Sequence, residues 1–318
     1  MTKPDKDLLL IRHEVLRAIR DFFFSNRYIE VETPTLIEYP PSDPYIDPLN
    51  VYVGAKGPYH LHTSPEMHMK KLLQLGHERI FQICKVYRFE EVEEIHSTEF
   101  TMLEWYRDGT YVQAMEEVEN LIRYVSERFD AGRGRRYEES FVVYDLENLV
   151  SEISGLNPFL FERDGLSKAM KSYGVAGVDP RDTWNDLFFK FFIQEVEPKI
   201  PAKTPYFIKD WPLSISTMAK KKGHNKVERF ELYMGGMEIA NGYTELLDPG
   251  EQRNRFEADN AERKRLGKST FELDQGFLEA LAYVNGSCAG VSVGVDRLLM
   301  AILEEERIDD VLVNRFKA

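Results

Sequence analysis

Apolar residues fall on one helical stripe early in the chain, with Leu8, Ile11, Val15, Ala18, Ile19 and Phe22 at the spacing of an amphipathic helix over residues 7–27. The period then changes. Residues 28–38, YIEVETPTLIE, alternate as a strand does as far as Pro34, which cannot donate to a ladder and so belongs at an edge or a strand end. A proline-rich loop occupies residues 39–48, and a short strand follows near 59–62. Thr63-Ser64-Pro65-Glu66 then predicts a helix start, with a capping hydroxyl, Pro at the first position and an acid in the first turn; Gly76 stops that helix. Two long strands, 79–88 and 98–107, are predicted to pair antiparallel across an acidic loop.

Residues 110–200 read as mostly helical, with amphipathic stretches over 111–128 and 184–196 and nothing that suggests chemistry. They are expected to be an insertion packed beside the sheet. Strands resume at 206–209, 227–234 and 238–246, and helices at 249–266 and 271–284. The segment GVSVGV, residues 290–295, is a strand feeding directly into a helix that begins at Asp296.

Composition narrows the class. The 318 residues are 43% hydrophobic and 12% aromatic, enough apolar surface for a packed interior of one large core plus an insertion. A formal net charge of -13 excludes the broad basic footprint of a nucleic-acid binder, and the local basic runs (Lys220 to Lys222 with His224 and Lys226; Arg133, Arg135 and Arg136) read as solvated loops. Cys84 and Cys288 are the two cysteines, which gives neither a disulfide framework nor a CxxC metal pattern and suits a reducing cytoplasm. No secretory h-region and no apolar run of spanning length is visible, so a soluble cytoplasmic protein without a membrane partner is expected.

Candidate chemistry sits in three places. In the 98–107 strand, Phe100, Met102, Glu104 and Tyr106 share one face, while the preceding strand presents Arg88 and, just beyond it, Glu90. The planar fork of an Arg suits phosphate or carboxylate, and a nearby acid can hold an amine. In FELYMGGMEIANGYTELLDP, residues 230–249, the acids Glu231, Glu238 and Glu245 lie seven apart around Asn241-Gly242. Asn241, Tyr243 and Glu245 share a strand face; Glu238 joins it only across a bulge, expected at Gly242. Two carboxylates from paired strands suit Mg²⁺ bound through substrate phosphates. In GVSVGVDR, Gly290, Ser292 and Gly294 form a small-residue face for a flat ligand, Asp296 can cap the following helix, and Arg297 opens it.

Together these stretches resemble the catalytic domain of class II aminoacyl-tRNA synthetases, and within it the lysyl branch. The first helix and the strand ending at Pro34 resemble motif 1, the dimer-forming element; FQICKVYRFEEVEEIHSTEFTMLEWYR (81–107) resembles motif 2; GVSVGVDRLLMAIL (290–303) resembles motif 3. PYFIKDWPLSISTMAKK and residues 230–249 are similar to lysyl-enzyme segments. Motif 1 begins within the first ten residues, which leaves no place ahead of it for the OB-fold that reads the anticodon, so tRNA is not the expected acceptor. The chain is most similar to the free-standing elongation factor P lysine ligase family. The resemblance implies a single α+β catalytic domain over 1–318, mainly antiparallel sheet flanked by helices, with the helical insertion near 110–200.

It also implies ATP and Mg²⁺ as cofactors, lysine or (R)-β-lysine as substrate, elongation factor P as protein acceptor, and a homodimer through motif 1. Carried over by position, Arg88 meets the α-phosphate and the substrate carboxylate, with Arg297 the second cation of the reaction. Glu90, Ser97, Glu238, Ile239 and Gly294 line the ATP site, and Phe100 and Arg297 sandwich the adenine. Glu231 and Glu238 are the Mg²⁺ carboxylates. Glu104, Tyr106 and Glu245 hold the distal ammonium, with Glu66 and Asn241 near the other amine and the carboxylate, and Ser64 and Ser292 on the pocket wall. The chain departs from the family where Ser97 replaces an adenine-contacting Asn, Phe89 replaces an Asn, and Ser292 replaces Gly or Ala. The implied reaction forms an aminoacyl adenylate and passes it to an amine. The same activation with tRNA or a carrier protein as acceptor, and a silent regulatory paralogue, are the alternative readings; intact Arg88, Arg297, Glu231 and Glu238 weigh against the silent one.

Overall fold

The computed structural model describes residues 6–89, 94–128, 134–216 and 218–313. In chain order the first half forms α1 (Lys6–Ser25), β1 (Ile29–Glu30), β2 (Leu36–Ile37), β3 (Leu49–Val53), β4 (Lys56–Leu61), α2 (Glu66–Leu73), β5 (Ile80–Tyr87), β6 (Glu99–Asp108), α3 (Tyr111–Ser126) and β7 (Val142–Asp145). The second half forms α4 (Leu146–Ser154), α5 (Arg163–Tyr173), α6 (Trp184–Phe191), β8 (Tyr206–Lys209), β9 (Lys221–Lys222), β10 (Lys226–Val227), β11 (Arg229–Met234), β12 (Met237–Thr244), α7 (Pro249–Arg265), α8 (Gln275–Leu281), β13 (Cys288–Gly294) and α9 (Val295–Leu303). Eight strands make the main sheet in the order β1-β5-β6-β13-β12-β11-β8-β7. Its centre is antiparallel; only the edge pairs β1·β5 and β7·β8 are parallel. The α+β architecture expected from the sequence is the observed one.

Period-two alternation gives this sheet two chemically distinct faces. Phe81, Leu103, Trp105, Val291, Val293, Phe230 and Phe207 project behind it into one core with Ile19 and Phe23 of α1, Val118 and Ile122 of α3, and Leu298 and Leu299 of α9. Phe23 stacks on Phe81 with ring centroids 4.7 Å apart, a contact whose truncation to Ala costs about 3–5 kcal/mol. The front face carries the polar residues of the strands and is covered by α2, α7, α8 and the 39–48 loop. That loop is pinned by the buried Arg263 of α7, which donates to Asp43 O at 2.7 Å, Ile46 O at 3.2 Å and the Asp47 carboxylate at 2.7 Å. α7 itself starts where the sequence placed it. Asp248 accepts from Glu251 N at 2.7 Å, Pro249 opens the first turn, and Arg255 then ties the helix to Ser216 O and Ala219 O.

Four expectations need correction. The strand foreseen over 28–38 is broken, because β1 and β2 flank Pro34 and enter different sheets. Residues 110–200 do more than pack beside the sheet: β7 is its edge strand, and α4 and α6 enclose a second core of Leu149, Val150, Leu187 and Phe188 with Tyr206 and Trp211. The helix foreseen over 271–284 is confined to α8, where Asp274 caps it by accepting from Phe277 N at 2.9 Å. Asp296 is not a helix cap. It is buried and receives Arg12 Nη1 at 2.6 Å and Thr101 N at 2.7 Å, tying α9 to α1 and β6.

Candidate active site

Cross-strand register assembles the site in rows. One row runs Gln82, Glu104, Ser292, Asn241, Glu231 across β5, β6, β13, β12 and β11; the next runs Ile80, Tyr106, Gly290, Tyr243, Arg229. Glu238 reaches the same face because the β11·β12 register slips between Leu232 and Tyr233, leaving Ile239 as the extra residue. The bulge is therefore at Ile239, not at Gly242. Ile239 and Ala240 both point into the core, and Gly242 is instead required where a Cβ would come within 2.6 Å of the Phe230 ring. Gly290 likewise serves the protein's own packing rather than a flat ligand. A Cβ there would stand 2.5 Å from the Tyr106 ring and closer still to Glu245 Oε1.

Two cavities open on this face. The first, of about 160 Å³, is lined by Ser64, Glu66, Arg88, Glu104, Tyr106, Asn241, Glu245 and Ser292, which include every side chain that the sequence assigned to substrate. Its floor is ionic. Tyr106 donates its hydroxyl to Glu104 Oε1 at 2.7 Å, Tyr243 donates to Glu66, and the ammonium of Lys70 lies between Glu66 Oε1, at 2.6 Å, and Glu245 Oε2. Glu245 Oε1 has no hydrogen-bond donor among the described residues. Burial pushes the Glu245 carboxyl up to about 8 although Lys70 pulls it down, and burial with the Glu66 charge holds Glu104 well above the usual carboxylate range. Lys70 is held above the ordinary lysine range by the two acids it touches, against the opposing effect of its own burial. At the wall, Ser64 Oγ accepts from Glu66 N at 3.3 Å, and Ser292 donates to Asn241 O at 3.3 Å.

The second cavity, of about 420 Å³, is lined by Arg88, Ser97, Phe100, Glu238, Ile239, Gly294 and Arg297. Arg88 stands over the Phe100 ring, 5.3 Å from its centroid, and Arg297 is braced by Glu238 O at 3.0 Å. Ser97 is 5% exposed, and its hydroxyl has no partner among the described residues. An orphaned buried hydroxyl beside a ring-sized space is what a hydrogen-bonding ligand would satisfy. Arg88, Met102, Arg229, Asn241 and Ser292 line both cavities, so the two meet there. Glu90 lies outside the described residues.

Beside Glu238 of the second cavity, the buried Glu231 is braced. Glu231 receives Arg229 Nη2 at 2.5 Å and Tyr233 OH at 2.7 Å, one on each oxygen. Burial and the neighbouring Glu238 charge push it up to about 7, and Glu197 adds to the push. Glu197 and the cavity-lining Phe189 both come from the 110–200 segment, which thus reaches the site, contrary to the sequence reading. Among the described residues no group of three His, Cys, Asp or Glu is placed to hold a metal unaided. A pair of crowded carboxylates with lone pairs to spare fits Mg²⁺ that arrives on phosphates, since that ion takes few protein ligands.

Residues 2–314 match the family described as tRNA synthetases class II (D, K and N). The chain belongs to this family. It is 36% identical to an elongation factor P–(R)-β-lysine ligase of Avibacterium paragallinarum over 96% of this chain and 94% of that one. To the protein of the same name from Vibrio cholerae serotype O1 it is 38% identical over 94% and 92%, and to that of Haemophilus influenzae strain PittGG 36% identical over 98% and 96%. Like its class, it is an ATP-dependent amino acid ligase. Within this class II site, sequence reasoning passed over Lys70, Arg229, Tyr243 and Glu197. Lys70 carried a signal, since it stands four residues after Glu66 on a helix whose Met67, Met69 and Leu73 face inward. Tyr243 shared a strand face with Glu245 but was given no role, and Glu197 had none that could have singled it out.

Proposed function

We propose that this chain activates lysine or (R)-β-lysine with ATP and transfers the aminoacyl group to a lysine side chain of elongation factor P. The observation that carries this reading is the meeting of an acid-floored cavity and a ring-sized, arginine-flanked cavity at Arg88. A diamino acid seated in the first, with its ammonium on Glu104 and Glu245, points its carboxylate to Arg88. ATP seated in the second, with adenine between Phe100 and Arg297 and against Ser97, offers its α-phosphorus at the same place.

A carboxylate oxygen attacks that phosphorus, an O–P bond forms, and the P–O bond to pyrophosphate breaks. Arg88 neutralises the developing charge, and no protein nucleophile is needed. The acceptor amine then attacks the acyl carbon; the N–C bond forms, AMP leaves, and the amine loses a proton. Glu231 and Glu238 would hold Mg²⁺, which supplies positive charge to the phosphates when bound. A neutral or shorter side chain is rejected because it leaves buried acids unpaired.

A protein rather than a tRNA acceptor accords with the net charge of -13 and with the basic run near residue 222. There Lys222 is committed to Asp210 at 2.7 Å and Lys226 to Glu147 at 2.5 Å. Leu9, Leu10 and Phe24 of α1, with Ile29 and Leu36, are exposed apolar side chains of the motif 1 region, through which a second copy would dock to make the homodimer. No helix among the described residues is long and apolar enough to cross a membrane, and the cytoplasm is the compartment that holds both ATP and the acceptor. ATP–pyrophosphate exchange with lysine, (R)-β-lysine and ornithine in the presence of Mg²⁺, followed by the mass of elongation factor P after incubation, tests the reading. Exchange with a diamine and a gain of one aminoacyl unit is expected. No exchange with any diamine would sink it, and exchange without a mass gain would move the acceptor elsewhere.

A further inference from the structure

Three carboxylates converge on the first cavity, yet the chain already supplies one ammonium to them. Lys70 is 1% exposed, with Nζ 2.6 Å from Glu66 Oε1, against Glu245 Oε2, 3.5 Å from Met218 Sδ and 5.3 Å from the centre of the Tyr243 ring. An ammonium so placed fixes two acids at once. Glu66 comes from α2 and Glu245 from just beyond β12, where the backbone is held by the bond from Glu245 N to Cys288 O and by a bridge to Ala219, while the carboxylate is held by Lys70. What remains unmatched is Glu104, held on one side by Tyr106, and the free Oε1 of Glu245.

We propose that Lys70 is a specificity-determining positioning residue. Its ammonium clamps Glu66 and Glu245 in one geometry, so that Glu104 and Glu245 Oε1 alone are left to receive the distal ammonium of an incoming diamine. This rests on the diamino-acid reading above and deepens it. The charge count agrees: three acids less one internal ammonium leave two negative charges for a substrate with two amines, while its carboxylate goes to Arg88. The groups that face Glu245 are Lys70 and Glu66 from α2, Glu104 and Tyr106 from β6, Tyr243 from its own strand, Cys288 from β13, and the uncharged Met218 and Ala219. Of these, Lys70 is the only cation, and it is the influence that draws the Glu245 carboxyl down toward ionisation.

The test compares wild type with Lys70→Met, which keeps the stem and deletes the charge, by lysine-dependent ATP–pyrophosphate exchange from pH 6 to 9.5. Lys70→Met should raise the KM for lysine at least tenfold, shift the pH at which that KM falls toward the alkaline side, and lower the preference for lysine over norleucine tenfold. The KM for ATP should stay within twofold. A loss of kcat or of melting temperature with the lysine KM and its pH profile unmoved would overturn the proposal and leave Lys70 a packing residue. Should Lys70→Met fail to fold, Lys70→Arg reads the same quantities: a raised lysine KM with an unshifted pH profile supports the clamp, and an unchanged KM overturns it. Wild-type enzyme that shows exchange with no diamine takes down the functional reading and the clamp with it. Wild-type exchange with an indifferent Lys70→Met takes down the clamp alone.

Discussion

Replacing Gly290 by Ala adds one methyl group at the point where substrate recognition is packed most tightly. The added Cβ would sit 2.5 Å from Tyr106 Cε1, against the 3.4 Å of ordinary contact, so the ring must retreat by about 0.9 Å, and the Glu245 carboxylate by more. Neither has room to yield freely: Tyr106 is packed against Met69, Leu73, Ile80 and Cys288, and Glu245 against Lys70. Overpacking of this kind costs about 1–3 kcal/mol, a fall in melting temperature of roughly 1–5 °C for a chain of this length. Function should suffer more. A displacement on the order of 1 Å in a recognition group can cost about 10²-fold, so lysine-dependent exchange should lose about that factor in kcat/KM while the KM for ATP stays within twofold. Gly294→Ala is the internal control. Its nearest neighbours are the Arg297 Cβ at 3.9 Å and Ile239 O at 4.0 Å, so the methyl fits the fold and takes its space from the nucleotide cavity, raising the KM for ATP and sparing that for lysine. A Gly290→Ala enzyme whose lysine KM is within threefold of wild type, measured well below its melting temperature, would refute the packing argument.

Ser97→Ala should raise the KM for ATP about five- to tenfold, the worth of one hydrogen bond, and leave the unliganded protein as stable or slightly more so, because a buried unpaired hydroxyl is removed; equal ATP KM values would deny Ser97 a ligand. The KM for lysine should fall as pH rises from 6 through about 8 and level off until the substrate's own amine deprotonates near about 10.4, since Glu104 and Glu245 must be ionised to hold an ammonium. The same raised carboxyls favour the protonated folded state, so their contribution to the stability of the empty protein is present at low pH and lost as pH rises through about 8. Saturating lysine should therefore raise the melting temperature more at pH 9 than at pH 6, and an equal shift at both would contradict the assignment. Asp296→Ala strands Arg12 and the Thr101 amide and should destabilise by about 3–5 kcal/mol, roughly 4–8 °C by calorimetry, against a negligible change if the node is ornamental.

What the sequence made legible follows from local rules that tertiary packing did not overturn. Alternation in FTMLEWY put Glu104 and Tyr106 on one face and Leu103 and Trp105 on the other, and the two sets fill different interiors, the first pair lining the cavity in front of the sheet and the second the core behind it. Motif order then placed every assigned and described substrate residue in one cavity. Two kinds of feature escaped. The bulge moved because glycine was taken as its marker, whereas Gly242 answers a ring on the neighbouring strand and Ile239, followed by Ala240, could be the extra residue with both side chains in the core. Lys70 escaped because a Glu and a Lys four apart on a helix ordinarily mark a solvated surface. Only the sheet packed against α2 turns that pair inward.

The same contrast explains how one sheet face keeps two substrates apart and yet brings them together. In the first cavity the chain's own Lys70 offsets one of the three acids, while at the shared wall Arg229 takes Glu231, Asn241 Oδ1 at 3.2 Å and Ile215 O at 3.0 Å, and packs on Trp211. One guanidinium thus braces the buried Glu231 and, on the wall the two cavities share, the Asn241 amide. Arg88, by contrast, is held among the described residues by a long bond to Thr63 O at 3.4 Å and by the Phe100 ring. The braced cation fixes the wall, and on the proposed reading Arg88 gives donors to the carboxylate and phosphate that meet there. On the proposed reading, selectivity for the amine and the chemistry at phosphorus are held by different cations, Lys70 on α2 and Arg88 just beyond β5, so a substitution in the acid floor should alter which amino acid is activated before it alters how.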